Sequence, residues 1–209
     1  LGTIQPSQAD YFQTVKGGGH GDYRLITLAP SSVQEMADFV GLGFDLAFKY
    51  NNPAMILADG IIGQMMEKVV LPPFTPRRTD DEIRKECPWA TLGKVGGRKR
   101  NVITSLELDA AVMEENNLRF QAKYKKIEEN EVRFQEIMCD DAEYLLVAFG
   151  SSARICQKVV ELAREQGIKL GLLRPITLWP FPTNILKEYA DNGPLLVDII
   201  NTYLTANKV

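Results

Sequence analysis

Cysteine, histidine and long apolar runs are scarce in this sequence of 209 residues. The three cysteines, Cys87, Cys139 and Cys156, stand far apart and form no CxxC pair, so by themselves they build neither a zinc site nor an iron–sulfur cluster. A single histidine excludes a histidine-rich metal centre. No apolar run approaches the roughly 20 residues that cross a bilayer. We therefore expect a cytoplasmic protein with reduced cysteines that binds no membrane.

A surplus of basic residues is also lacking, because the formal net charge is −3 and the sequence pI is about 5.4. This balance argues against binding to nucleic acid. The densest basic run, Arg98 to Arg100, has only three residues, and we predict a solvated turn there. The sequence also lacks an initiator methionine and starts at Leu1 in the manner of a mid-chain segment. We expect that it begins partway through a domain and holds only part of an active site.

The first third of the sequence predicts a strand, a helix and a second strand. Residues 24–29 and 54–58 are short apolar runs typical of buried strands. Between them, a capping box of Ser32 and Glu35 starts a helix that continues to about Tyr50. This order is the βαβ unit of a parallel sheet, and further strands are needed to cover it.

The second half of the sequence predicts another α/β unit. Residues 72–105 are interrupted by proline and glycine and indicate a surface linker, and residues 106–137 have a charged helical pattern. The unit that follows has strands at 144–149, 169–173 and 195–200, with helices at 150–165 and 183–190 between them. The proline-rich run with Trp179 and Phe181 is either a rigid interface loop or a domain-packing segment, and we favour the interface.

A glycine-rich loop from Lys16 to Asp22 is the most unusual local sequence. Its backbone can approach a ligand closely, and its amides could hold a phosphate. A flexible turn at a subunit contact explains the glycines equally well. Within the loop, His20 and Asp22 are either a proton-transfer pair or locally hydrogen-bonded side chains.

Two further candidates follow predicted strands, at the edge of the sheet where ligands gather in such folds. Asp59 could contact a polar ligand or cap the turn after it. Gly150, Ser151 and Ser152 open a helix whose N-terminus could attract an anion, but we favour the two serines as ordinary helix caps.

Three segments together resemble one family. They read QPSQADYF continuing into KGGGHGDYR, then LAPSSVQEM, and finally LLRPITLWPFP. In this order and spacing they are similar to the α subunit of 2-oxoacid:ferredoxin oxidoreductases, above all the 2-ketoisovalerate type. The similarity extends from Leu1 to about Asp198, whereas the segment from Asn201 to Leu204 departs from the Gly-Gln turn usual in the family.

The resemblance implies an α/β fold made of a partial domain of the thiamine-diphosphate pyrimidine-binding type and a doubly wound domain of the transketolase C-terminal type. We expect the C-terminal half of the pyrimidine-binding domain at residues 1–75. A linker and connecting helix would occupy 76–140, and the transketolase C-terminal-like domain would occupy 141–209.

The resemblance also implies an enzyme. Members decarboxylate a 2-oxoacid, here 2-ketoisovalerate, reduce ferredoxin and release an acyl-CoA. It further implies that a β subunit holds thiamine diphosphate and magnesium, and that the iron–sulfur clusters lie on β and a small ferredoxin-like subunit. The family's pyrimidine-activating glutamate and substrate arginine precede the position of Leu1, so the isolated chain should be inactive.

Few site residues can therefore be assigned within this sequence. His20 and Asp22 are the catalytic candidates, and the cofactor-binding candidates are Gly19, Gly21 and Asp59. Three alternatives remain open. The chain could be a non-catalytic assembly module, a member specific for 2-oxoglutarate or pyruvate, or a phosphate-ligand binder that uses the glycine loop alone.

Overall fold

A computed structural model describes residues 9–17, 23–91, 93–97 and 99–198. The chain divides into two compact units, one made of residues 1–71 with 122–209 and the other of residues 72–121. The helices are α1 (Ala9–Lys16), α2 (Val33–Tyr50), α3 (Gly60–Gln64), α4 (Asp80–Glu86), α5 (Ala110–Asn130), α6 (Gly150–Glu165) and α7 (Thr183–Asn192), with a short 3₁₀ turn at Val95–Gly97. The strands are β1 (Ile26–Leu28), β2 (Ala54–Ile56), β3 (Phe134–Ile137), β4 (Tyr144–Val147), β5 (Leu170–Pro175), β6 (Thr177–Trp179) and β7 (Leu195–Asp198).

The larger unit contains a first sheet in the order β2–β1–β6. Strands β1 and β2 are parallel, with Ile26 opposite Ala54, so the predicted βαβ unit is confirmed. Helix α2 connects them and buries Phe39, Gly43 and Leu46, which recur at three- and four-residue spacing along one face.

Strand β6 joins this sheet from the far end of the chain. It pairs antiparallel with β1, and Thr27 lies opposite Trp179. The Trp179 ring is buried and meets Tyr124 edge-to-face at a centroid distance of 5.7 Å. The proline-rich run is therefore a packing segment within the chain, and the interface interpretation was wrong for Trp179.

The second sheet has the order β3–β5–β4–β7. Strand β4 is parallel to both β5 and β7, while β3 is antiparallel to β5. Leu146 and Leu172 face one side and pack with α6, whereas Leu145 and Leu173 face the other side and pack with α7. Helices thus cover both faces, as predicted for a doubly wound domain.

Two predictions for the part of the chain between β2 and β4 were wrong. The helix predicted to continue to Ile137 ends at Asn130, and residues 134–137 form β3 because their backbone pairs with β5. The predicted linker contains α4, whose start is a capping box between Thr79 and Glu82. No helix of the described residues is long and apolar enough to cross a membrane.

Candidate functional site

Three acidic side chains lie where the carboxyl ends of the parallel strands of the two sheets approach each other. Asp59 follows β2, Glu35 lies in the first turn of α2 after β1, and Glu67 lies beyond α3. Each hydrogen-bonds to a residue that follows β4 or belongs to β5. We call this set the carboxylate junction; its members are Glu35, Asp59, Glu67, Ser151, Arg154 and Arg174.

Asp59 is bonded at both carboxylate oxygens. Its Oδ1 accepts a hydrogen bond of 2.9 Å from the backbone N–H of Ile62 and thereby caps α3. Its Oδ2 accepts one of 2.8 Å from the backbone N–H of Ser151, in the first turn of α6. The residue before α6, Phe149, makes no side-chain capping bond, so a carboxylate from a remote segment performs that function.

The close approach of Asp59 depends on a glycine. Gly150 has a φ of 61°, in the left-handed region that favours glycine, and a Cβ atom there would stand 3.2 Å from Oδ2 of Asp59. The chain therefore turns from β4 into α6 tightly enough for the N-terminus of α6 to contact the carboxylate of Asp59. Ser151 contributes its backbone N–H, so the prediction that Ser151 and Ser152 are the helix caps was wrong.

The electrostatics keep Asp59 ionised. Burial raises the pKa of this carboxyl, but hydrogen bonds from Ser151 and from the backbone of Ile62 outweigh burial, so the pKa lies below its usual value. An ionised carboxylate is the group that the positive end of a helix dipole favours. The predicted anion-attracting end of α6 is thus filled by an anion from the chain itself.

Glu67 makes a second connection between the two sheets. It accepts a hydrogen bond of 3.1 Å from the backbone N–H of Val33 at the start of α2. Its other oxygen pairs with Arg154 of α6. Hydrogen bonds from Arg154 and Val33 lower the pKa of Glu67, so the pair is charged at neutral pH.

Glu35 makes the third connection. Its Oε2 accepts hydrogen bonds from Ser31 and from the guanidinium of Arg174, whose side chain is only 6% exposed. Ser32 accepts from the backbone N–H of Glu35 at 3.2 Å. Half of the predicted capping box is confirmed, but the glutamate bonds to Ser31 and Arg174 instead of Ser32 because a buried arginine requires a charged partner.

The candidates in the glycine loop fall outside the described residues. Gly19, His20, Gly21 and Asp22 belong to the segment 18–22, which lies between the end of α1 and the approach to β1. Their catalytic and cofactor-binding roles stay predictions. The cofactor contact predicted for Asp59 also stays a prediction, and both of its oxygens already have partners within the chain.

Two family models match consecutive parts of the chain. The model described as "Pyruvate flavodoxin/ferredoxin oxidoreductase, thiamine diP-bdg" matches residues 2–138. The chain belongs to this oxidoreductase family. The model described as "Pyruvate:ferredoxin oxidoreductase core domain II" matches residues 142–205. The resemblance to 2-oxoacid:ferredoxin oxidoreductases is confirmed.

Among curated relatives, the ketoisovalerate oxidoreductase subunit VorB of Methanothermobacter marburgensis is 49% identical over 199 residues, which cover 95% of this chain and 55% of the relative. The 2-oxoglutarate synthase subunit KorA of Archaeoglobus fulgidus is 31% identical over 198 residues, covering 92% of this chain and 54% of the relative. The chain thus spans about half the length of these curated relatives.

A solved structure of the family has the same fold. It is a 2-oxoglutarate:ferredoxin oxidoreductase from Magnetococcus marinus with 2-oxoglutarate, coenzyme A and succinyl-CoA bound. The TM-score is 0.71 at 18% identity, and the match covers 97% of this chain and 40% of the other. The predicted α/β fold class is confirmed.

The described residues of this family member do not fit the diphosphate end of a thiamine cofactor. At the N-terminus of α6, a kind of position that can bind phosphate, the carboxylate of Asp59 already accepts the Ser151 N–H. Among residues 9–17, 23–91, 93–97 and 99–198, no group of three or more His, Cys, Asp or Glu side chains could hold a metal ion.

Sequence reasoning missed three of the six residues of the carboxylate junction. Glu67 and Arg154 occur in no motif, and Arg174 lies in the segment LLRPITLWPFP, which gives no sign of its partner. The pairs Glu67–Arg154 and Glu35–Arg174 are separated by 87 and 139 residues in the chain. Local signals existed for the other three: the spacing of a capping box indicated Glu35, and positions directly after predicted strands indicated Asp59 and Ser151.

Proposed function

We propose that this chain is an α-subunit segment of a thiamine-dependent 2-oxoacid:ferredoxin oxidoreductase. The complete complex would convert a 2-oxoacid and CoA to an acyl-CoA and CO₂, and ferredoxin would accept the two electrons released. The observation that carries this proposal is the match of the thiamine-binding family model over residues 2–138. The identity of 49% with a ketoisovalerate oxidoreductase subunit supports 2-ketoisovalerate as the substrate.

We propose that the active site is divided between subunits. A β partner would hold thiamine diphosphate and magnesium, and β with a small ferredoxin-like subunit would carry the iron–sulfur clusters. The three cysteines described here support this division, because all are buried free thiols with no cysteine partner. CoA would enter as a co-substrate, a role supported by the coenzyme A bound in the solved relative from Magnetococcus marinus.

Within this chain, we propose that His20 and Asp22 act near the substrate, with Gly19 and Gly21 lying against the cofactor. Among the described residues, the carboxylate junction is a scaffold. It fixes the turn after β2 to the start of α6 through Asp59, and the start of α2 to β5 through Glu35. Because ligand contact by Asp59 would require one of its two bonds to open, its geometry favours a positioning role.

The domain division proposed from the sequence is a half pyrimidine-binding domain at 1–75, a connection at 76–140 and a transketolase C-terminal-like domain at 141–209. The parallel β1–β2 pair and the parallel strands β4, β5 and β7 of the second sheet support two α/β domains. Cleavage of the folded chain by a non-specific protease would test it. Initial cuts confined to 76–109 would support the division, whereas initial cuts within α2 or α6 would contradict it.

The function is tested by reconstituting the complete complex anaerobically. Turnover of 2-ketoisovalerate, 2-oxoglutarate and pyruvate is measured with CoA and oxidised ferredoxin. We expect 2-ketoisovalerate to have the highest kcat/KM and the isolated chain to show no turnover. Activity of this chain by itself would contradict the divided site. A preference for 2-oxoglutarate would favour the alternative suggested by the 31%-identical relative.

A second set of variants distinguishes a catalytic role of this chain from a role in subunit assembly alone. His20→Ala and Asp22→Asn should each lower kcat by about a hundredfold or more if they transfer protons. Asp140→Asn, an exposed acid-to-amide change in a turn, is the matched control. Native mass spectrometry verifies that every variant still assembles. Unchanged turnover with intact assembly would favour the non-catalytic module.

A further inference from the structure

The smaller unit contains a cavity that plays no part in the function proposed above. It has a volume of about 270 Å³ and lies in the segment 88–101, which we call the basic loop. The side chains and backbone that line it belong to Thr91, Gly93, Lys94, Lys99, Arg100 and Asn101. Three of these six residues are cationic and none is acidic.

The basic loop concentrates positive charge in a chain that is acidic as a whole. Residues 88–105 contain Lys94, Arg98, Lys99 and Arg100 and no aspartate or glutamate, whereas the complete chain has a net charge of −3. Among the ion pairs of the described residues, none involves Lys94, Lys99 or Arg100. These cations therefore leave a positive potential at the cavity.

The backbone of the basic loop suits an anion as well. Asn101 donates a hydrogen bond of 3.0 Å from its side chain to the carbonyl of Pro88 and so joins the two ends of the loop. Gly93, which lines the cavity, has a φ of 77°, in the left-handed region that favours glycine. Turns of this kind form concavities in which backbone N–H groups bind anions.

We propose that this cavity binds the phosphate of a small molecule, as a phosphomonoester or a diphosphate. Lysine and arginine bind phosphate oxygens by charge-assisted hydrogen bonds, and Thr91 and Asn101 add neutral donors. The volume lies just below the range of pockets that enclose a whole drug-sized ligand. The phosphate end of the ligand would thus enter the cavity while the remainder stays outside. The proposal does not depend on the oxidoreductase function.

Titration calorimetry of the full 209-residue chain with pyrophosphate at low salt tests the site. The variant Lys99→Glu/Arg100→Glu should bind pyrophosphate at least about tenfold more weakly than the unaltered chain. The matched control is Lys125→Glu/Lys126→Glu, which makes the same charge change on the exposed surface of α5 and should alter the affinity less than about twofold. Circular dichroism and the thermal midpoint verify that both variants fold.

Further titrations distinguish the two phosphate chemistries. A site for a diphosphate should bind 3′-dephospho-CoA as tightly as CoA, whereas a site for a monoester should prefer CoA. Either result supports the proposal if the Lys99/Arg100 variant abolishes the binding. Three results would overturn it: no heat with millimolar pyrophosphate, equal weakening in both variants, or binding of oligoglutamate that pyrophosphate does not displace. The last result would identify a docking surface for an acidic protein.

Discussion

The carboxylate of Asp59 accepts the backbone N–H of Ser151 at 2.8 Å, although the two residues are 92 positions apart in the chain. The Asp59 side chain thus caps α3, which directly follows it, and also the first turn of α6, which follows β4 of the second sheet. The interaction explains how a helix without a capping residue of its own satisfies an exposed amide.

Replacing Asp59 should destabilise the larger unit. Asp59→Ala leaves the N–H groups of Ile62 and Ser151 without their acceptor, and we expect the free energy of unfolding to fall by about 2 kcal/mol. Urea unfolding monitored by circular dichroism measures the change. The control Asp140→Ala removes an exposed acid and should cost less than about 0.5 kcal/mol. Equal costs would show that the two bonds of Asp59 contribute nothing.

Gly150→Ala should cost more than the same change at another glycine with positive φ. At Gly150 the new methyl group would crowd Oδ2 of Asp59 at 3.2 Å, whereas at Gly167, with a φ of 78°, nothing lies within 4 Å. Both changes carry a backbone penalty of about 1 kcal/mol. We expect an additional loss of roughly 1 kcal/mol at Gly150 alone. Matching thermal midpoints for the two variants would contradict the crowding.

Glu131→Gln should remove an acid-sensitive contribution to stability. This buried side chain accepts from Lys49 and Tyr50 at 2.6 Å and pairs with Arg133 at 2.9 Å. Burial raises the pKa of Glu131, but the hydrogen bonds from these three partners lower it by more than burial raises it. The pKa of Glu131 in the folded chain therefore lies below its usual value. The stabilisation is therefore complete above the unfolded pKa of about 4.3 and is lost as the pH falls through the folded pKa.

At neutral pH we expect Glu131→Gln to cost about 2 kcal/mol, because it leaves cations beside a neutral amide. Urea unfolding at a series of pH values measures both chains. Their difference should shrink as the pH falls from about 5 through and below the unfolded pKa of about 4.3. A difference that is constant over this range would show that the glutamate charge does not stabilise the fold.

Gly171→Ala should disturb the centre of the second sheet. A Cβ atom at this position would stand 2.9 Å from the carbonyl oxygen of Met138 and 3.0 Å from the Cβ of Ala142. Because backbone must move to make room, we expect a loss of about 2 kcal/mol in a urea titration. Gly41→Ala, in α2 with nothing within 4 Å, should instead stabilise the chain by about 0.5 kcal/mol. Similar effects of the two changes would refute the close packing.

Local patterns predicted the elements whose own residues determine them. The capping-box spacing of Ser32 and Glu35 predicted the start of α2, and the apolar run that contains Leu145 and Leu146 predicted β4. Strand β3 escaped prediction because a segment with the polar residues Gln135 and Glu136 forms a strand only when paired with β5. Helix α4 had a local signal in Thr79 and Glu82, but the surrounding prolines and glycines concealed it.

The sequence by itself determined the family, the parallel βαβ unit and the doubly wound second sheet, since motif order and hydrophobic period are local properties of the chain. Only the tertiary structure decided the partners of Asp59, Glu35 and Glu67, and the passage of the chain from β5 into β6 of the other sheet. A carboxylate satisfies whichever donors the fold brings within about 3 Å. Those donors lie on segments 87 to 139 residues away in the chain, so no local sequence pattern predicts the contacts.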